Sequence, residues 1–122
     1  MERPDLRVLL VEDDVSLRLL CRVNLELEGF SVLEAGTLAE ARVAVPGVDV
    51  VLLDLNVGWE DGRVLLRELK QGAGGPAVVL LTGSELDGDA VALADGLLSK
   101  PFAPGELARA VLRAARVESA RG

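Results

Sequence analysis

Val48-Asp-Val-Val-Leu-Leu53 runs straight into Asp54. A short apolar run without polar alternation reads as a strand buried on both faces, as in a parallel sheet covered by helices on each side. Working outward, similar runs recur at Val8-Leu-Leu-Val11, Ser31-Val-Leu33, Ala77-Val-Val-Leu-Leu81 and, more weakly, Leu97-Leu98. Amphipathic stretches separate them. One spans about Ser16 to Glu28 and stops at Gly29, and either Asp14 or Ser16 can cap it. The next opens at Thr37-Leu-Ala-Glu40, whose spacing predicts a capping box, with hydroxyl and carboxylate each satisfying the other residue's amide. A third runs from Gly62 to Lys70. The last runs from about Pro104 to Val117, with Leu107, Ala110, Val111 and Ala114 on one face. Five β/α units with short connections predict an α/β fold, a three-layer doubly wound sandwich. The whole of residues 1–122 reads as one domain, with an ordered core over about 6–117 and a tail, 118–122, that frays.

Composition narrows the chemistry. The 122 residues include no His, a single Cys (Cys21), a single Trp (Trp59), and 13 Lys plus Arg against 20 Asp plus Glu, for a net charge of −7. Without histidine, the chain cannot supply a Ser-His-Asp or Cys-His nucleophile or an imidazole metal ligand. One cysteine excludes an internal disulfide, and Cys21 reads as a small buried hydrophobe. The acidic balance and the lack of a basic block argue against direct nucleic-acid binding by this segment. Apolar runs stop at five residues, too short for a membrane span or a signal-peptide core. The expected location is the cytoplasm.

In a doubly wound sheet, the loops at the carboxyl ends of the strands carry function. Here those ends are acidic: Val11 is followed by Glu12-Asp13-Asp14, and Leu53 by Asp54-Leu55-Asn56. If the first and third strands are neighbours, Glu12, Asp13 and Asp54 converge. Clustered carboxylates repel one another and raise one another's pKa unless a cation neutralises them. Oxygen donors without His or Cys select a hard ion, Mg²⁺ above all. For an isolated Glu-Asp-Asp, a solvated acidic turn with a helix cap is the plainer reading. Two further strand ends shift that balance: the fourth places Thr82 beside Gly83, and the fifth places Lys100 before Pro101-Phe102. Carboxylates, a hydroxyl and an ammonium at one rim make a site for a phosphoryl group on Asp54. Thr82 would donate a hydrogen bond to it, and the metal and Lys100 would neutralise its oxygens.

With those residues in view, the chain resembles the receiver domain of bacterial two-component response regulators over essentially its whole length. The resemblance rests on Leu9-Leu-Val-Glu12-Asp13-Asp14, Val51-Leu-Leu-Asp54 with Asp61-Gly62, Leu80-Leu-Thr82-Gly83 and Lys100-Pro101-Phe102. It implies a flavodoxin-like five-stranded parallel sheet of order 2-1-3-4-5. It implies Asp54 as phosphoacceptor, with Thr82 and Lys100 acting on the phosphoryl group. Asp13, Asp54 and the backbone carbonyl of Asn56 would ligate Mg²⁺, with Glu12 acting through a bound water. The implied donor is a phosphohistidine on a sensor histidine kinase or histidine phosphotransfer protein. The output lies in a further domain or protein, and a homodimer is compatible. Such a chain catalyses only its own phosphorylation and dephosphorylation, and is a switch rather than a turnover enzyme. By the same resemblance Gly83 leaves room for the phosphoryl group, Asn56 and Ser84 tune its loss, and the bond to Pro101 is cis.

Several positions depart from the family pattern. Leu97 stands where an aromatic residue usually does, three before the lysine. Residues 87–96 leave room for only about two turns of a shortened fourth helix. Gly58 replaces a usual proline, and Trp59 after it reads equally as a loop aromatic or a partner contact. Arg109, Arg113 and Arg116 form a helical stripe, more simply a solvated face than a partner surface. Leu97 and the short fourth segment favour an alternative, a phosphorylation-independent receiver-like interaction module, against which the intact acid, hydroxyl and lysine set argues. A third reading, an aspartyl-phosphate phosphatase or mutase, would need an acid two residues after the nucleophile, where this chain has Asn56. A flavin binder is disfavoured because the acidic rim repels phosphate.

Overall fold

The computed structural model describes residues 5–72, 74–83 and 88–121, without the side chains of residues 104 and 117–121. Ser84, a candidate modulating residue, lies outside the described residues. The elements in chain order are β1 (Arg7–Val11), α1 (Val15–Leu27), β2 (Ser31–Ala35), α2 (Leu38–Ala44), β3 (Val50–Asp54), β4 (Asn56–Val57), β5 (Glu60–Asp61), α3 (Gly62–Leu69), β6 (Ala77–Thr82), α4 (Gly88–Leu93), β7 (Gly96–Ser99) and α5 (Pro104–Arg121). The main sheet is parallel and ordered β2-β1-β3-β6-β7. That is the expected 2-1-3-4-5 order once the small β4–β5 hairpin is set aside.

The continuous apolar runs are explained by the period of two along a strand. Val8, Leu10, Val50, Leu52, Val79 and Leu81 face one way, where they pack with Cys21 and Leu25 of α1 and with Leu107, Val111 and Ala114 of α5. Leu9, Val11, Val51, Leu53, Val78 and Leu80 face the other way, against Leu38 and Ala41 of α2 and Leu65 and Leu66 of α3. The sheet separates two cores. Leu52 lies on the central strand with no exposed surface. Leu52→Ala should destabilise the chain by about 3–4 kcal/mol, the lost transfer energy plus the cavity left behind. A chemical-denaturation midpoint that shifts without a change of slope would show it.

Local expectations meet the structure unevenly. Asp14, not Ser16, caps α1, its Oδ1 accepting from Leu17 N at 3.1 Å. The hydroxyl half of the Thr37 box forms, accepting from Glu40 N at 3.1 Å. The carboxylate half is displaced by one residue: Glu40 Oε1 accepts from Gly36 N at 2.7 Å, not from Thr37. α5 continues to Arg121, past the expected end at Val117. Edge strand β7 is covered on one side only, so Leu98 is buried whereas Leu97 is 38% exposed. α4 has six residues, as short as its segment requires.

Candidate functional site

Chain direction sets the position of the site. From β1 the sheet grows outward through β2 on one side and through β3, β6 and β7 on the other, so strand order reverses between β1 and β3. Val11 of β1 registers with Leu53 of β3, which brings Glu12 level with Asp54 at that point. One oxygen from each of Glu12, Asp13 and Asp54 lies within 4.8 Å of the others. Thr82 registers with Ser99, and Lys100 N donates to Thr82 O at 2.6 Å, which brings Lys100 to the same rim. The Lys100–Pro101 bond is cis.

Lys100 is shared between two acids. Its Nζ donates to Glu12 Oε1 at 2.7 Å and to Asp54 Oδ2 at 2.8 Å. Asp54 Oδ1 accepts from Asn56 N at 3.0 Å, and Glu12 Oε2 accepts from Asp14 N at 3.2 Å. Glu12 and Asp54 are buried, whereas Asp13 and Asn56 are exposed. One ammonium therefore faces three carboxylates, two of them withdrawn from water. Burial would lower the pKa of Lys100, but its hydrogen bonds to Asp54 and Glu12 outweigh it and hold the ammonium above its ordinary value.

Burial pushes Glu12 from 4.5 up to about 7, against the pull of Lys100 and the Asp14 amide. A carboxyl raised in the folded state contributes stability below its unfolded pKa and loses that contribution as pH rises through the folded one. In metal-free buffer, wild type should therefore lose stability relative to Glu12→Gln as the pH rises from 4.5 to 8. Urea denaturation of the pair across that range checks it. Parallel curves would mean that Glu12 is not desolvated.

The residues fit a hard cation. Mg²⁺ binds oxygen at about 2.1 Å, so opposite ligands stand roughly 4.2 Å apart, close to the spread of these carboxylates. The donor set is all oxygen, and its charge exceeds what Lys100 neutralises. Thr82 Oγ1 is buried and has no hydrogen-bond partner among the described residues. An unmet buried hydroxyl costs about 1–3 kcal/mol, and an anionic oxygen at this rim would accept from it. A β-carbon on Gly83 would meet no atom within 4 Å among the described residues, which leave the rim beside Thr82 open.

The loop after Asp54 is more ordered than its sequence suggests. Asn56 pairs with Asp61 and Val57 with Glu60 in an antiparallel hairpin. Gly58, at φ +62°, occupies the first turn position, where a type II′ turn requires a left-handed residue. A β-carbon there would lie 4.0 Å from Asp13 Oδ2, so the hairpin tip abuts the pocket and holds Trp59 fully exposed beside it. Behind Asp54, Gly62 N donates to Leu55 O at 2.8 Å, and only a glycine permits this approach. The sequence reading did not single out Arg18, which donates from Nη1 to the backbone carbonyl of Glu12 at 2.8 Å. Arg109, Arg113 and Arg116 are exposed on α5, away from the pocket's hydrogen bonds.

The chain is similar to known proteins over most of its length. A family model described as the response regulator receiver domain matches residues 8–112. The KDP operon transcriptional regulatory protein KdpE of Escherichia coli is 39% identical over 118 residues, covering 93% of this chain and 52% of that protein. The transcriptional regulatory protein CpxR of Klebsiella pneumoniae is 39% identical over 115 residues, covering 88% of this chain and 49% of that protein. The chain thus spans about half the length of these curated relatives. Among solved structures, a response regulator receiver domain protein from Clostridium thermocellum superposes with a TM-score of 0.84 at 27% identity, covering 96% of this chain and 99% of that one. No helix among the described residues is long and apolar enough to cross a membrane.

Proposed function

The chain belongs to the response regulator receiver domain family, and from that premise we propose that Asp54 accepts a phosphoryl group from a phosphohistidine on a partner protein. What carries the reading is the convergence of Asp54, the Lys100 ammonium and the unpartnered Thr82 hydroxyl at one strand-end rim. An Asp54 carboxylate oxygen attacks phosphorus as the phosphorus–nitrogen bond breaks, and the leaving imidazole keeps the electron pair and takes up a proton. Lys100 turns from its acid partners toward the transferred oxygens, and the Thr82 hydroxyl donates a hydrogen bond to one of them. Removal is the reverse in kind: water attacks phosphorus and the Asp54 carboxylate departs. Asp13, Asp54 and the Asn56 carbonyl would hold Mg²⁺, and Glu12 would act on it through a bound water. Bound there, the ion supplies positive charge against the phosphoryl oxygens.

The donor is a histidine kinase or phosphotransfer protein in the cytoplasm, and the response passes to an output domain or protein. An apolar surface beside the pocket supports a protein donor. Val15, Leu19, Val23 and Leu27 are exposed at four-residue spacing along α1, beginning two residues after Asp13, and Trp59 stands at the hairpin tip. The chain is a switch, not a turnover enzyme. The exposed Leu97 and the six-residue α4 favour one alternative, a receiver-like module that binds partners without phosphorylation. Trp59, the single tryptophan, separates the two. Its emission should change saturably as Mg²⁺ and then beryllofluoride, a phosphoryl mimic, are added. A flat response to both would overturn the phosphoacceptor reading.

A further inference from the structure

Beyond the strand ladder, the backbone of Glu12 is held on both sides, at its amide and at the carbonyl of the Glu12–Asp13 peptide, by groups that belong to no metal or phosphoryl site. Glu12 N donates to Ala35 O at 3.0 Å, and Glu12 O accepts from Arg18 Nη1 at 2.8 Å. Arg18 is itself fixed, because its Nε donates to Glu34 Oε1 at 3.0 Å. The other Glu34 oxygen accepts from Arg22 Nη1 at 2.6 Å. A guanidinium is a rigid planar fork, so holding Nε and Nη1 fixes its plane. The backbone of Arg18 also donates to Asp14 O at 2.9 Å, tying the far end of the same acidic loop.

Gly36 completes the arrangement. A β-carbon there would come within 2.8 Å of Arg18 Nη1 and 3.5 Å of Glu40 Oε1, so a larger residue would displace the guanidinium from the carbonyl. Because the aim of the Glu12 and Asp13 carboxylates depends on the peptide between them, we infer that Arg18, seated by Glu34 and given room by Gly36, is a positioning residue that preorganises the Mg²⁺-binding carboxylates. This rests on the receiver reading above. Groups that orient metal ligands without touching the metal commonly affect affinity by tenfold or more when removed. Arg18 borders an open cleft of about 530 Å³, lined also by Glu34, Gly36, Glu40 and Val43. Water can therefore reach the freed carbonyl in a shortened variant, and the fold should survive.

The test is calorimetric titration of the whole chain with Mg²⁺ alone, with thermal melts alongside. The variants are Arg18→Met, Arg18→Lys and Gly36→Ala. Mg²⁺ should bind Arg18→Met about tenfold more weakly than wild type. Gly36→Ala, which keeps the arginine but crowds its seat, should lose affinity in the same direction. Arg18→Lys should recover part of the loss, since one ammonium can reach the carbonyl but cannot bridge it to Glu34. Wild-type affinity in both Arg18→Met and Gly36→Ala, even with lowered melting temperatures, would mean a merely structural role and overturn the inference. A loss in Arg18→Met that Gly36→Ala does not share would mean that the seat beside Gly36 does not set the guanidinium's position, and would also overturn the inference; loss of charge alone would instead tighten Mg²⁺ binding. If Arg18→Met does not fold, Gly36→Ala decides alone. Failure of wild type itself to bind Mg²⁺ would instead defeat the receiver reading, and this inference with it.

Discussion

Lys100→Met should slow phosphoryl acceptance by roughly 10²–10³-fold at saturating Mg²⁺, the usual cost of removing a preorganised charged donor from developing negative charge. In wild type the ammonium sits 2.7 Å from Glu12 and 2.8 Å from Asp54, so it already stands where a group on Asp54 would place its oxygens. The same substitution has a stability signature with a definite sign. Without the ammonium, the buried Glu12 carboxyl loses a contact that favours its ionised form, and its pKa climbs further above about 7. The stability gap between wild type and Lys100→Met should therefore widen from pH 5 to pH 8. Rapid-quench labelling with a small acyl phosphate measures the first effect and urea titration the second. Wild-type rates in Lys100→Met would remove the lysine from the chemistry.

Gly62→Ala should damage the fold and the site together. A β-carbon at Gly62 would collide with the carbonyl oxygen of Asp54 and lie 3.0 Å from Leu55 Cα. Both obstacles are backbone, so no side chain can rotate aside. Either α3 must retreat from the end of β3, breaking the 2.8 Å bond from Gly62 N to Leu55 O, or the Asp54–Leu55 peptide must turn. The expected cost is about 3 kcal/mol, at the upper end of ordinary single substitutions. Surviving folded protein should also bind Mg²⁺ more weakly, because Asp54 and the Asn56 carbonyl lie on the displaced segment. Denaturation together with a Mg²⁺ titration would show both losses, and wild-type values in both would refute the close packing.

How much the sequence reveals here depends on whether a residue is read by its place on an element or by a partner far along the chain. Asp54, Thr82 and Lys100 were legible because each ends a hydrophobic run, and a parallel sheet brings such ends to one rim. Glu12 and Asp13 were legible for the same reason. The link from Arg18 to Glu34 was not, since opposite charges 16 positions apart say nothing of facing each other until α1 is set against β2. The displaced capping box at Glu40 is by contrast local, and spacing alone does not settle it: Gly36, with no side chain, leaves its amide open to the carboxylate four residues on. The hairpin over residues 56–61 escaped notice because two-residue strands carry no periodicity. Its one local signal, Gly58, reads as a loop residue until the positive φ is seen.

The assignment of Asp54 turns on intact-mass measurement of the wild-type chain and Asp54→Asn after incubation with Mg²⁺ and a small acyl phosphate. One phosphoryl group should be added to wild type, none to Asp54→Asn, and none to wild type when Mg²⁺ is chelated. Two unmodified proteins, or two proteins labelled equally, would contradict Asp54 as the acceptor.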